Sequence, residues 1–289
     1  MKRLSLIMII MAIYSMVYSQ DLIVTQQGDS INCRVTKIES EFIHFTYNHS
    51  GEIRNTLLRD TQIKHLEYGY FEVSEVPQEE VSKTLTDRFR FAAHGGFSYT
   101  LASVADDVPS DFKDYVRQMK TGYHFGADAT YFITESYGLG LKYSLFKSKN
   151  SLDNIYAVGP NGQTRYGIMS DNLSISFFGP SLVNRSSNHD RSRTFIAGLA
   201  IGYLSYLDKK VIIDPFTVTG STLGLSFEGG YDIKLKGNSG IGFQISYISG
   251  LLSEFIIDDG KTKETMKFPK GQFESLHRID FSIGYRFVR

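Results

Sequence analysis

Tryptophan is absent from the 289 residues, cysteine occurs once, at Cys33, and proline only six times. A single cysteine excludes an intramolecular disulfide and any cysteine-based metal site. Cys33 itself reads as a half-buried thiol in a small β module. Neither sign of charge is in excess, because 31 lysines and arginines stand against 31 aspartates and glutamates. The electrostatic footprint of a nucleic-acid binder is therefore missing. No apolar stretch approaches the about 18 residues of a transmembrane helix. Any membrane crossing would be made by strands, since only helices and closed barrels satisfy the backbone in lipid. No nucleotide-binding glycine motif stands between a strand and a helix.

What the chain has in plenty is glycine, at 26 residues, and phenylalanine and tyrosine, at 21 and 18. They sit in stretches with a period of two. From Ser221 to Leu235 the odd positions Leu223, Leu225, Phe227, Tyr231, Ile233 and Leu235 are apolar, apart from Gly229. The even positions are Thr222, Gly224, Ser226, Glu228, Gly230, Asp232 and Lys234. Such alternation predicts a β-strand with one apolar and one polar face. Its length suits the about nine to eleven residues that a tilted strand needs to cross a bilayer.

In chain order, Lys2 and Arg3 precede the apolar run Leu6-Ile7-Met8-Ile9-Ile10-Met11-Ala12-Ile13, and Val17-Tyr18-Ser19 follow. Residues 1–19 are expected to be a secretory signal peptide cleaved between Ser19 and Gln20. Residues 20–72 alternate in short runs around Gln27-Gly28-Asp29 and His49-Ser50-Gly51 turns, which predicts a β module expected in the periplasm. Residues 73–88, with Glu75, Pro77, Glu79 and Glu80, read as a linker.

From residue 89 to 289 eight strands are expected, over 89–101, 121–133, 137–146, 171–182, 193–206, 221–235, 240–248 and 276–288. On the fourth, Leu173, Ile175 and Phe177 form the apolar face, and Pro180 interrupts the ladder. The fifth is the least segregated, since Ile196 and Leu204 share the face of Gly198 and Gly202. Connections alternate in length. Those after strands two, four and six are short or moderate, whereas 102–120, 147–170, 207–220 and 249–275 are long loops. An even strand count with short turns at one end and long loops at the other is the pattern of outer-membrane barrels. The fold class is thus all-β, an eight-stranded antiparallel transmembrane barrel with a small N-terminal β module. A soluble sandwich would instead turn the apolar faces inward and the charges to water.

The polar faces would line the lumen with Arg90, Lys142, Lys234, Arg278 and Arg286 against Asp128, Glu228, Asp232 and Asp280, with His94 and His124 nearby. Near-equal opposite charges predict ion pairs plugging an interior just wide enough for side chains. On the apolar face Tyr99, Tyr123, Tyr203 and Tyr247 fall near external ends. Phe89, Tyr131, Tyr137, Phe195, Tyr231, Tyr285 and Phe287 fall near periplasmic ends. Two aromatic girdles at the lipid interfaces are expected.

Four segments carry a family resemblance: Gly122-Tyr-His-Phe-Gly-Ala-Asp-Ala-Thr-Tyr-Phe, Tyr137-Gly-Leu-Gly-Leu-Lys-Tyr-Ser, Phe178-Gly-Pro-Ser-Leu and Phe281-Ser-Ile-Gly-Tyr-Arg-Phe. In these the chain resembles the porin-like outer-membrane β-barrel proteins of Bacteroidota type, with a small eight-stranded architecture akin to OmpA and OmpX. The resemblance implies an outer-membrane location and no reaction. Such barrels often finish on an aromatic residue, whereas here Val288 and Arg289 follow Phe287.

Catalytic and metal chemistry have thin candidates. His124 and Asp128 share a face, which fits a lumen plug better than a hydrolase or metal pair. Glu274, Ser275 and His277 are the residue types of an acyl-transfer site, yet a base-orienting acid would have to come from another strand. Asp258-Asp259-Gly260 lacks the ligand spacing of a calcium loop. Residues 110–119 place Phe112, Tyr115, Val116 and Met119 at helical spacing behind a Ser110 N-cap, predicting a short amphipathic helix over the barrel mouth. The expectation is a non-enzymatic, monomeric outer-membrane barrel with no cofactor and no metal. It would lie in outer-membrane lipid and offer its loops or module to a periplasmic or envelope protein. A lipid hydrolase or deacylase and a narrow channel for small or apolar solutes are the alternatives.

Overall fold

A computed structural model of the chain describes residues 20–39, 41–71, 75–76, 87–102, 110–158, 162–188 and 191–289. The expected signal peptide, most of the expected linker and the Ser110 side chain lie outside the described residues. The chain divides into two compact units, the first running to Thr86 and the second beginning at Asp87.

In the first unit β1 (Gln20–Thr25), β2 (Ser30–Ile38), β3 (Phe42–His49), β4 (Glu52–Arg59) and β5 (Ile63–Phe71) form one antiparallel sheet in the order β4-β3-β2-β1-β5. Ser50 and Gly51, both at positive φ, close the two-residue β3–β4 hairpin between His49 and Glu52. Positive φ at both central residues matches the right-handed strand twist. One face of the sheet buries Ile23, Cys33, Val35, Ile43 and Phe45. Beside them the Asp21 carboxylate accepts hydrogen bonds from Val35 N at 2.9 Å and Gly69 N at 3.1 Å, tying three strands together. Burial, and secondarily the Asp21 charge, push the Cys33 thiol up to about 12.

The second unit is a closed barrel. Its eight long strands are β6 (Phe89–Thr100), β7 (Thr121–Phe132), β8 (Tyr137–Val158), β9 (Thr164–Ser187), β10 (Arg193–Ile212), β11 (Asp214–Lys234), β12 (Ser239–Leu252) and β16 (Arg278–Val288). Each pairs antiparallel with its neighbour, and β16 joins β6 on one side and β12 on the other. Three smaller strands, β13 (Glu254–Asp258), β14 (Lys263–Lys267) and β15 (Glu274–Ser275), decorate the β12–β16 connection. A helix, α1 (Ser110–Met119), stands between β6 and β7 where the spacing predicts it.

Which face meets oil decides between a transmembrane barrel and a sandwich. Leu225, Phe227, Ile245 and Phe281 are 42%, 48%, 55% and 49% exposed, whereas Arg278, Asp280 and Arg286 are at most 1% exposed. The apolar faces point away from the barrel axis and the charges toward it. Only a lipid environment makes that polarity favourable over so many residues.

Three expectations need correction. Residues 147–158 and 164–170 are not loop: β8 and β9 run on as one hairpin of 22 and 24 residues. Residues 207–220 likewise continue β10 and β11, which turn at Ile213, a non-glycine residue at φ 65°. The backbone keeps its pairing beyond the lipid band while the apolar alternation that signals a strand stops. On β9 the face is inverted, with Ile175 and Phe177 buried inside and Phe178 54% exposed. The Phe177-Phe178 doublet fits either register, and the outward Leu182 decides it. The β9–β10 ladder is interrupted at Gly179 and Pro180, as the missing proline N–H requires. Here Gly179 and Gly202 face each other so closely that a Cβ on either would strike the opposite backbone.

Two measurements test this arrangement. Ile245→Arg, on the lipid face, is expected to cost about 2–4 kcal/mol in urea unfolding of the barrel in vesicles. Ser151→Arg, on the exposed extension of β8, should stay within about 0.5 kcal/mol. Cys33 should resist a thiol reagent at pH 8 in the folded module and react promptly in urea, because only the thiolate attacks; rapid labelling without denaturant would contradict a buried thiol.

Candidate functional site: the barrel lumen

Alternation brings the inward positions of all eight strands to one axis, and glycines there leave room for long charged neighbours. Gly242 is one such position, since a Cβ would run into Asp232 Oδ1 and Arg286 Nε. In that space Arg90 Nε and Arg286 Nε each donate to one oxygen of Asp232, at 2.8 and 2.9 Å. Farther along, Lys142 pairs with Glu228. Gln244 joins the two groups, its amide donating to Glu228 Oε2 at 2.8 Å while its carbonyl accepts from Arg286 Nη2 at 3.2 Å.

Toward the other end Arg278, fully buried, contacts Asp280 through Nε at 3.2 Å and donates to Ser144 Oγ at 2.9 Å and Ile175 O at 3.2 Å. Asp280 also accepts from Ser98 Oγ at 2.5 Å. His124 spans Ser98 Oγ at 3.0 Å and Ser282 Oγ at 2.6 Å, and so is not paired with Asp128. Asp128 instead faces His94 Nδ1 at 3.4 Å without hydrogen-bond alignment. Arg90, Lys142, Arg278 and Arg286 thus stand among Asp128, Glu228, Asp232 and Asp280, every one of these side chains at most 10% exposed. Lys234 is outside this set. It follows Asp232 at the strand end, its side chain is 40% exposed, and its carboxylate neighbour is Asp87 at 4.0 Å.

Apolar layers flank the charges. On one side Phe146, Ile175, Phe177, Leu204, Ile248 and Leu252 pack together, joined by Ala200 and Leu276. On the other are Phe132, Val183 and Ile196, with the Arg185 guanidinium 3.7 Å from the Phe132 ring centre. Sequence reasoning missed these layers and the bridging role of Gln244 and the serines. Ile196 and Leu204, inward among glycines on the least segregated strand, were the available signal.

Above the first apolar layer α1 is fastened by Tyr115, whose hydroxyl donates to Asp171 Oδ2 at 2.5 Å while Asn150 Nδ2 donates to Tyr115 O at 3.1 Å. Burial, and then that bond, raise the Tyr115 phenol above its ordinary value and keep it a donor. Lys210 holds Asp171 and, at 3.0 Å, Asp208.

The remaining candidates fall elsewhere. Tyr99, Tyr123, Tyr131, Tyr137, Tyr203, Tyr231, Tyr247 and Tyr285 are 36–55% exposed on the outer surface, as are Phe89 and Phe195, and Phe287 is half-buried beside Phe91. Ser275 and His277 share no hydrogen bond among the described residues, and the His277 ring stacks on Tyr247 at 6.0 Å. Asp258 and Asp259 accept backbone hydrogens from Gly260, Lys261 and Thr262 in the β13–β14 turn.

No family model and no curated protein matches the chain. Solved structures share the barrel at low identity. Neisserial surface protein A is 12% identical over 69% of this chain and 96% of its own, at a TM-score of 0.42. A major outer membrane protein from Thermus thermophilus is 12% identical over 71% of this chain and 100% of its own, at 0.46. The outer membrane protease OmpT from Escherichia coli is 10% identical over 93% of this chain and 92% of its own, at 0.40. These are likenesses of fold and assign no activity.

Removing one partner of a buried pair leaves a bare charge, whereas removing both does not. Asp232→Asn, which strands Arg90 and Arg286, is expected to cost about 3–5 kcal/mol. Lys142→Met combined with Glu228→Leu should cost less than either change alone, in the same urea assay.

Proposed function

We propose that this chain is a non-catalytic outer-membrane barrel whose lumen is closed, and that it acts as a membrane mount. It would present the extended strands and α1 outside the cell and the N-terminal sheet to a protein partner in the periplasm. The observation that carries this reading is the filled interior, in which paired charges lie between two apolar layers. Water or ions following the axis would have to break buried ion pairs and then cross a layer of Phe, Ile and Leu, each step costing several kcal/mol. A conduit carries neither obstacle.

Support for the outer membrane comes from the lipid-facing surface of a closed barrel and from the short turns 133–136 and 235–238 at one end. Placing those turns in the periplasm puts α1 and the β13–β14 hairpin outside. The segments beginning at Gly122, Tyr137, Phe178 and Phe281 support membership of the porin-like family of Bacteroidota type. Against hydrolysis of lipid stands the outward His277 ring, stacked on Tyr247 rather than bonded to Ser275.

Planar bilayers containing the protein are expected to show no discrete conductance steps. Phe146→Ala with Leu204→Ala and Leu252→Ala, which thins one apolar layer, should leave them silent because the ion pairs below remain. Regular single-channel openings of the unaltered protein would sink the closed-lumen reading.

A further inference from the structure

The outer faces of β8, β9 and β10 change character along their length. Tyr143, Phe178 and Tyr203 stand in one cross-strand row, all outward and 40–55% exposed. Beyond it most outward positions turn polar, Leu145 and Leu207 excepted. Lys147 lies opposite Ser174, and two residues farther on Lys149 and Lys209 flank Asn172 from either side. Thr217 continues that row on β11, opposite Lys209. Lys149, Lys209 and Asn172 are exposed and Lys147 is half-buried. None of the three lysines forms an ion pair or hydrogen bond among the described residues. The nearby carboxylates Asp171 and Asp208 point to the opposite face, where Lys210 holds them both. Three unpaired cations therefore share a patch whose other outward side chains are Asn172, Ser174, Thr217 and, opposite Ser174, Leu207.

The height of the patch narrows its partner. Lys147 stands beside Tyr123 of the external girdle, Lys149 two residues beyond it, and Lys209 six residues past Tyr203, about 20 Å along its strand. With a strand tilt of about 35–45° the patch runs from girdle height to roughly 15 Å farther from the bilayer centre. The interfacial layer of a simple bilayer is only about 5–8 Å deep on each side. Phosphates of ordinary phospholipids reach only the lower end of this patch, while a headgroup built of phosphorylated sugars spans its whole height. Hydroxyl and amide side chains between the lysines suit sugar hydroxyls, and the ammonium groups suit phosphate.

We propose that Lys147, Lys149 and Lys209, with Asn172 and Ser174, bind the phosphorylated saccharide headgroup of an outer-leaflet glycolipid. The inference rests on the outer-membrane reading above, because only then does the patch lie over the external leaflet. Each lysine near an anionic surface contributes about five-fold in affinity, so removal of all three should weaken binding about a hundredfold.

The test uses the full chain refolded into vesicles of phosphatidylcholine alone, of phosphatidylcholine with phosphatidylglycerol, and of phosphatidylcholine with rough-type lipopolysaccharide. The barrel is then extracted in mild detergent and the lipid retained per chain is measured. The unaltered protein is expected to keep lipopolysaccharide in preference to phosphatidylglycerol, with 10 mM inorganic phosphate failing to displace it. Lys147→Gln/Lys149→Gln/Lys209→Gln should lose that retention, and the corresponding triple Arg variant should keep it. Strand circular dichroism and unaltered insertion show that each variant is folded. Equal retention of phosphatidylglycerol, or undiminished lipopolysaccharide on the triple Gln variant, would overturn the proposal while leaving the barrel reading intact. A chain that enters none of the vesicles would overturn both.

Discussion

Closure of the backbone ladder is the constraint from which the rest of the second unit follows. In hydrocarbon an unpaired N–H or C=O costs several kcal/mol, and a sheet edge exposes a row of them. The chain removes both edges by returning β16 between β12 and β6, from Ser239 opposite Phe287 on one side to Arg278 opposite Thr100 on the other. With the ladder closed, side chains have only two places to go, and the period of two distributes them. Oil takes one set. The other is forced into a cylinder too narrow to hold bulk water, where polarity has to be answered from within.

The lumen shows how that demand is met. Asp232 takes Nε hydrogens from two arginines, and Gln244 uses both ends of its amide to link them to the Lys142–Glu228 pair. A neutral bridging residue adds hydrogen bonds without adding charge, which a crowded ionic interior needs. The apolar layers at either side exclude water from these pairs, strengthening their attraction and raising the penalty for breaking them. Glycine opposite a large charged residue is the steric counterpart, as at Gly242 beside Asp232 and Arg286. Side-chain volume and charge are balanced across facing strands, and neither is balanced within one.

That distinction explains what could be read from the sequence alone. Strand number, the direction of the apolar faces on most strands, the inward charges and α1 follow from periodicity within single segments. Pairing between segments does not. Which carboxylate each arginine meets depends on barrel stagger, so His124 and Asp128, close on one strand, part: His124 bonds Ser98 and Ser282, while Asp128 faces His94 without a hydrogen bond. The extensions of β8 to β11 were illegible for another reason: past the lipid band both faces are wet, and Lys147, Lys149 and Lys209 give no apolar rhythm. Ile213 carries none of the glycine or asparagine that usually marks a tight turn. On β9, inversion came from a layer of apolar residues inside the barrel, which breaks the rule that the lumen is the polar side.

Beyond the lipid band closure fails again, and a different device is needed at each side. The β7–β8 ladder ends where Tyr123 meets Lys147, so the rest of β8 lacks β7 as a neighbour. There α1 lies against it, with Tyr115 Oη donating to Asn150 O at 3.3 Å and Asn150 Nδ2 returning a bond to Tyr115 O. On the far side the tip of β11 pairs with β13 from Thr217 to Thr219, and β13 pairs with β14. The sheet then ends on Lys263-Glu264-Thr265-Met266-Lys267, exposed throughout. Charged residues, lysine above all, discourage another strand from adding to such an edge. One boundary is covered by a helix and the other is made electrostatically unattractive, and between them strands twice the length of a membrane crossing stand paired in water.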